Sequence, residues 1–535
     1  MPGSTGGGAG TAAADVAALR RLRRRRKLRH VDKWRVVYRI YLLLVVAGVV
    51  LLVLTGIGGV VRVPVKEQGA ARLLGAPLVG LAYALAIAAA VRSGSRGGPL
   101  VLEPADVHFV LQAPVDRRSV LRPAATRALA RGAAWGATAG CAAGVVASRA
   151  VGGSEAEWIL WAGMSAALAG ATAVGAGLVG SGVRIGQRSA AAVATALVGW
   201  SVLDVMGGRV TSPLSALGAV AVWPLSPHPL DLVAAALAPA AALAALTTVG
   251  GLSVEASARR AALAGLVRFS ASTFDFRAVA LFRRQLAGER VRRRPWFRLP
   301  PSESARVSPV LRRDMHGTLR WPLARILRLL GLGMAAGAAC VAAWSAAVPI
   351  VAVAGVLGWV AALDASEGLG QEVDHPDRLA SVPRPAGWVH LRHMRFAAGV
   401  LVVPALAGAA VAVVIAGSGV AVLALTTAGT AVLCSAAAAA ITVLREPAGP
   451  GDLAPAGEMA GMAILVRELL PLAVATAGFV PVSMDRLAFL GGRPPLPAAL
   501  NAAFFVMLAP AAVLGWVHSN GRVPQAARQP ESASS

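Results

Sequence analysis

The chain has 535 residues, of which 56% are hydrophobic and only 15% are charged, and its mean hydropathy is +0.65. Soluble domains carry about 25% charged residues, so this composition excludes an ordinary soluble domain and is typical of a membrane protein. The net charge is +26, nearly all of it from arginine. The arginines fall in the loops between apolar runs. We therefore expect them to contact anionic lipid headgroups on the cytoplasmic side and not nucleic acid, which is the alternative for so basic a chain.

The N-terminal region is predicted to contain a disordered tail and then a membrane-surface helix. Residues 1–14 are rich in glycine and alanine and show no signal-peptide pattern. Residues 15–35 mix dense arginines with apolar residues, which is typical of a basic amphipathic helix lying on the inner leaflet. The segment 308–325 repeats this plan before the seventh predicted span.

Twelve segments of about 20 mainly apolar residues predict membrane-spanning helices. They lie near 37–62, 71–91, 131–151, 157–180, 189–207, 230–251, 328–346, 349–366, 396–416, 419–444, 462–482 and 497–518. With the N-terminus inside, the basic loops and the C-terminal tail all fall on the cytoplasmic side. The sequence therefore predicts an all-α polytopic protein of the plasma membrane, with about 12 transmembrane helices in two six-helix halves and both termini cytoplasmic.

The predicted domains follow from these spans. The first membrane half is 15–251, a basic cytoplasmic loop occupies 252–327, the second membrane half is 328–518, and 519–535 is a disordered cytoplasmic tail. The segment 211–231 is apolar but broken by four prolines, and either a re-entrant element or a plain extracellular loop fits it.

Each half carries a polar insert after its second predicted helix, at 92–130 and at 367–395. The first contains LEPADVHFVLQAPVDRRSVLRPA and the second EGLGQEVDHPDRLASVPRPAGWVHLRHM. In both, acidic residues precede a proline-marked turn and an arginine-bearing segment. Each insert suits a short interfacial helix or elbow that binds another protein, and a solvated connecting loop is the alternative. In the first insert, Val107, Phe109, Val110 and Leu111 predict an apolar patch.

Motifs for catalysis are weak. The sequence contains no GxxxxGK[ST], so any ATP hydrolysis must come from another chain. His390 and His393, with Glu372, Asp374 and His375 upstream, raise the alternative of a metal site. However, HExxH is absent, and caps or arginine partners are the preferred interpretation of these residues. We expect no catalytic residue, cofactor or metal.

Glycines recur at every fourth position along the third predicted span, at Gly132, Gly136, Gly140 and Gly144. Such a stripe lets a neighbouring helix approach closely. A helix-packing face is therefore predicted there, with a substrate groove as the alternative.

The combined pattern resembles the membrane subunit of an ABC-2-type exporter. In that family an interfacial amphipathic helix opens each six-helix unit, here 15–35 and 308–325, and a cytoplasmic loop between the second and third helices contacts the ATPase. EPADVHFVLQAPVDRRSVL is similar to a stretch of bacterial exporter permeases. LGQEVDHPDRLASVPRP resembles an actinobacterial polytopic membrane family found beside exporter ATPases, to which no substrate is assigned.

The resemblance implies a permease subunit working with a separate ABC-type ATPase docked on the two inserts. The implied docking residues are Glu103, Asp106, Arg117, Arg118, Glu372, Asp374, Asp377 and Arg378. The chain departs from the family in having all twelve predicted spans in one polypeptide and no large extracellular domain. A non-transporting membrane scaffold or regulator and a secondary carrier are the alternatives, and homo-oligomerisation is left open.

Overall fold

A computed structural model describes residues 68–113, 116–272, 291–297, 308–345, 348–380, 382–445 and 469–520, with a few isolated positions besides. Every regular element in these ranges is helical. The predictions for 1–14, for the amphipathic helix 15–35, for the span 37–62 and for the tail beyond residue 520 lie outside the described residues. The all-α prediction is confirmed for the part of the chain that is described.

Eight helices of the described ranges are long and apolar enough to cross a membrane, or up to ten if each of two bent helix pairs is one span. These apolar helices indicate a multi-pass membrane protein. The helix over the predicted span 131–151 forms but is not among them, because its many glycines and its arginines lower its hydropathy. The count of twelve and the duplicated six-helix architecture stay predictions.

The chain divides into two compact units, with the main boundary between Leu266 and Val267. In the first unit the helices are α1 (Gln68–Gly94), α2 (Arg117–Val151), α3 (Glu155–Gly182), α4 (Gln187–Gly207), α5 (Pro213–Ala221) and α6 (Leu237–Thr248). A 3₁₀ segment, Pro229–Ala236, leads into α6, and α7 (Val254–Ser272) begins here and crosses the boundary.

The predicted glycine face is confirmed in the packing of α2 against α3. A Cβ added at Gly136 or Gly140 would overlap a backbone carbonyl oxygen of α3, and one at Gly144 would lie 2.6 Å from the Trp158 carbonyl oxygen. The two helix backbones are therefore in direct contact, which is the arrangement that small residues permit between membrane helices.

The proline-broken segment 211–231 contains a short buried helix, so the plain-loop alternative is wrong. Ser212 caps α5, its hydroxyl accepting from the Ser215 amide at 3.0 Å, and Pro213 occupies the first turn. The Ser165 hydroxyl of α3 donates to the Leu217 carbonyl oxygen at 2.6 Å. Nine helical residues are roughly 14 Å long, too short to span a bilayer, so α5 is a protein-covered element.

The second unit contains a run of long helices with short ones between them. These are α8 (Pro309–Thr318), α9 (Leu323–Ser345), α10 (Val351–Ala365), α11 (Glu367–Asp374), α12 (Pro376–Ala380), α13 (Ala386–Ala416), α14 (Ala421–Leu444), α15 (Leu469–Ala477), α16 (Val480–Leu490), α17 (Pro495–Val506) and α18 (Leu508–Asn520). The α10–α11 pair bends by 58° and the α15–α16 pair by 57°. Alanine dominates the interior, for example along Ala436–Ala440 of α14.

Candidate functional site

The second insert consists of the two short helices α11 and α12, which follow the bend at the end of α10. Pro376 opens α12, and Pro385 immediately precedes α13, so prolines delimit the insert as the sequence predicts. Leu369 is 1% exposed and packs against Met394 and Val443 in one apolar cluster. The insert is thus anchored into the second unit and is not a solvated loop.

The inward side of the insert meets a cluster of charged side chains that we call the charged joint. Its members are Arg313 and Asp314 of α8, Arg325 and Arg328 of α9, Asp364 of α10, Glu367 and Glu372 of α11, and His393 of α13. Five helices, spread over residues 309–416, therefore meet through charged contacts. Buried charges of this kind are retained only when they are paired.

His393 lies between two carboxylates. Its Nδ1 is 2.5 Å from Asp314 Oδ2, and its Nε2 is 3.8 Å from Glu372 Oε1. All three side chains are buried, and Glu372 also pairs with the Arg313 guanidinium. Gly368 faces this pair, and a Cβ at that position would overlap Asp314 and lie 3.0 Å from His393 Nδ1. A side chain at position 368 would therefore push α11 away from α8 and α13.

Two arginines of α9 hold the bend between α10 and α11. The Arg325 guanidinium contacts the Glu367 carboxylate and the Asp364 carbonyl oxygen, and it lies 3.8 Å from the centre of the Trp321 ring. Arg328 Nε donates to Asp364 Oδ2 at 2.6 Å. Both carboxylates lie at the bend, so the first turns of α9 fix the angle at which the insert leaves α10.

The balance of charge in the joint makes it costly to open. Four carboxylates face three arginines and the imidazole of His393. Removing one partner of a buried pair leaves an uncompensated charge and costs about 3–5 kcal/mol. The joint therefore favours movement of the insert as one body with the ends of α8, α9 and α13.

A segment of the predicted central loop packs beside the joint. Within residues 291–297, the Trp296 indole donates to the Trp321 carbonyl oxygen at 2.9 Å, and the Arg292 amide donates to the Arg320 carbonyl oxygen at 2.9 Å. The Arg292 guanidinium stacks 3.5 Å from the centre of the Trp296 ring. This segment thus covers the turn between α8 and α9.

The first insert has a different construction. A single π-helical turn, Asp106–Val110, precedes α2, with Val107 and Leu111 buried in the apolar core and Phe109 76% exposed. The predicted apolar patch is therefore divided, because alternate sides of the turn face the core and the surface. Of the four residues predicted to form it, Phe109 is the large apolar side chain that projects outwards.

Two charged residues of the first insert have structural roles. Asp116 caps α2 by accepting from the Ser119 amide at 3.0 Å and the Arg118 amide at 3.1 Å. These two hydrogen bonds hold the pKa of the Asp116 carboxyl below its usual range, and the bond from the Ser119 amide has the larger effect. Arg118 Nε donates to the Leu246 carbonyl oxygen at 3.3 Å, which ties α2 to the last turn of α6.

The predicted docking residues divide by exposure. Glu103, Arg117, Asp374, Asp377 and Arg378 are exposed, and Asp106 and Arg118 are partly exposed. Glu372 does not fit the docking prediction, because its carboxylate is buried against Arg313 and His393 and offers no surface to a partner. The first four predicted residues lie together in one unit and the other four in the second unit.

Sequence reasoning missed most of the charged joint. The pairing partners of Glu372 come from α8 and α13, which are 59 and 21 positions away along the chain, and local sequence contains no signal for such contacts. One signal was present: Asp364 lies inside the predicted span 349–366, and an acidic residue within an apolar span indicates a buried partner or a functional site.

The metal-site alternative receives no support from geometry. Among the described residues, no group of three or more histidine, cysteine, aspartate or glutamate side chains is arranged to hold a metal ion. His393 is bonded to Asp314, and Asp374 and His375 lie on the exposed side of the insert.

No protein-family model, curated protein or solved structure matches this chain. Its apolar helices define the class to which it belongs, that of multi-pass membrane proteins.

Proposed function

We propose that the chain is the membrane-spanning subunit of an ATP-driven exporter and that a separate ATPase docks on its cytoplasmic inserts. The observation that carries the proposal is the charged joint. It connects an exposed, charged surface on the insert (Asp374, Asp377 and Arg378) to the ends of helices that are apolar enough to span the membrane. A surface built in this way can transmit the movement of a partner to the spans.

The mechanical argument follows from the buried contacts. A partner that binds Asp377 and its neighbours displaces α11, and α11 cannot move alone without breaking the Arg325–Glu367 and Arg313–Glu372 pairs. Because these pairs are costly to open, the displacement passes to α8 and α9. The chain itself has no P-loop, so the proposal assigns ATP hydrolysis to the partner.

The first insert supplies a second docking surface under this proposal. Phe109 offers an exposed aromatic anchor, and Arg117 is an exposed charge at the start of α2. Aromatic residues and arginines carry much of the binding energy in protein interfaces.

Co-purification of the full chain from its native membrane tests the proposal. The expected result is recovery of a P-loop ATPase, and its loss in a chain carrying Asp377→Arg, Arg117→Glu and Phe109→Ala. The matched control is Glu157→Arg, an exposed acidic residue in the first turn of α3, on the side predicted to be external. A chain that purifies alone and moves solute in ATP-free vesicles contradicts the proposal.

One observation favours a secondary carrier as a second candidate. His393 is buried between two carboxylates, an arrangement that proton-driven carriers use. Transport in ATP-free vesicles that follows an imposed pH gradient, and that His393→Gln abolishes, would favour this candidate over the exporter.

A further inference from the structure

A half-open pocket of about 230 Å³, which we call the cavity, lies among the helices of the second unit. Its walls come from α9, α10, α13, α14 and the junction of α15 with α16, and nearly all the lining side chains are apolar. The volume exceeds the ~150 Å³ of an apolar protein cavity that admits benzene.

The cavity exists because small residues occupy the places where its walls meet. Gly333 and Gly337 of α9 touch the backbone of α13, and a Cβ at Gly337 would overlap the Gly408 carbonyl oxygen. This close contact fixes α9 and α13 together along one edge. Beyond that edge, Ala405, Ala424 and other short side chains leave the space between the helices unfilled.

One hydroxyl in the cavity wall lacks a partner. Thr427 of α14 lines the cavity and is 4% exposed, and its Oγ1 has no hydrogen-bond partner among the residues that the structure describes. Other helical threonines of the unit have a partner: Thr430 donates to the Gly478 carbonyl oxygen at 2.6 Å and Thr442 to the Ala438 carbonyl oxygen at 2.9 Å. An unsatisfied buried hydroxyl is unfavourable, and a bound polar group would remove that cost.

The position of Thr427 distinguishes between ligands. It is the tenth residue of the apolar segment Ser418–Leu444, roughly 14 Å from its start and close to the middle of a ~30 Å hydrocarbon core. A phospholipid seated from the bilayer keeps its polar groups at the interface and would present only methylenes at this depth. A separate small molecule can place a polar atom there.

We propose that this cavity binds an apolar solute that carries one hydroxyl or similar hydrogen-bonding group, of the chemistry of a medium-chain alcohol. The apolar part fills the space between α9, α13 and α14, and the hydroxyl bonds to Thr427. If the chain is an exporter subunit, such solutes are its substrate class. The inference rests on the exporter proposal only where it takes the bound molecule to be the one that is transported. Binding itself requires no ATPase, so an experiment can contradict the binding site without contradicting the exporter proposal, and the reverse.

Photolabelling of the purified full chain in lipid nanodiscs tests the site. The probe is octanol bearing a diazirine, with labelled peptides located by mass spectrometry. We expect labelling within residues 332–344, 401–416 and 423–435, competition by octanol, and much weaker competition by octane. Thr427→Val should weaken the apparent octanol affinity about fivefold, the effect of one hydrogen bond. Ala428→Phe should abolish labelling by filling the cavity.

Two controls keep the result interpretable. Thr138→Val changes an exposed helical threonine of the first unit that bonds to its own helix, and it should leave labelling unchanged. Thr427→Val should unfold at the wild-type temperature or above, because it removes an unpartnered hydroxyl. Labelling that spreads over lipid-facing surfaces, survives Ala428→Phe, or is competed equally by octane and octanol overturns the inference.

Discussion

At the scale of single residues, His393 is a point where three helices of the second unit meet. One imidazole contacts carboxylates from two different helices, α8 and α11, while lying on a third, α13. A solvated side chain would tolerate replacement, but that of His393 is 2% exposed. The contribution of His393 to the free energy of unfolding must therefore be measured together with that of its partner Asp314.

A double-mutant cycle on Asp314 and His393 isolates this contact. Asp314→Asn and His393→Gln should each lower the free energy of unfolding by about 3 kcal/mol, because each leaves the other group buried without its partner. The double variant should lose less than the sum of the two. Denaturant unfolding in mixed micelles gives the values, and the exposed Asp377→Asn should stay within about 0.5 kcal/mol of wild type. Strict additivity would show that the two groups do not interact.

At the scale of elements, the contact between α2 and α3 shows how spacing in the sequence specifies packing. Glycines at every fourth position place one smooth stripe along α2, and α3 contacts it backbone to backbone. The bend between α10 and α11 is the opposite case. Apart from Ser366, the local sequence gives little indication of this bend, because Arg325 and Arg328 of another helix hold its angle.

Adding a methyl group tests the α2–α3 contact. Gly140→Ala should lower the free energy of unfolding by about 1–3 kcal/mol, since the new Cβ overlaps the Ala162 carbonyl oxygen and must separate the helices. The matched control is Gly199→Ala in α4, where the added Cβ has nothing within 4 Å. That variant should be neutral or gain up to about 1 kcal/mol from helix propensity. Equal effects at the two positions would mean that the close approach is absent in the membrane.

At the scale of the whole molecule, the number and direction of the spans decide which surfaces face the cytoplasm. Eight to ten candidate spans lie in the described ranges, and the basic loops predict which ends are cytoplasmic. The predicted topology places both inserts on the cytoplasmic side and the α2–α3 turn on the other.

Cysteine accessibility tests this topology. In a chain whose three native cysteines are replaced by alanine, Asp377→Cys and Arg117→Cys should react with a membrane-impermeant maleimide only after the membrane is opened. Glu157→Cys, in the first turn of α3, should react in intact cells. All three positions are exposed, so burial does not explain a difference. Labelling of the inserts from outside would overturn the predicted orientation and with it the docking proposal.

The sequence by itself determined the membrane class, the helical fold, the approximate position of most spans and the glycine face of α2. These follow from hydropathy and from short-range periodicity, which act along the chain and are visible in it. The tertiary structure alone decided that Glu372 turns inward to Arg313 and His393, that α5 is buried, and that a cavity with an unpartnered Thr427 lies in the second unit. The physical reason is that ion pairs and voids depend on which helices meet, and residues far apart in sequence make those contacts.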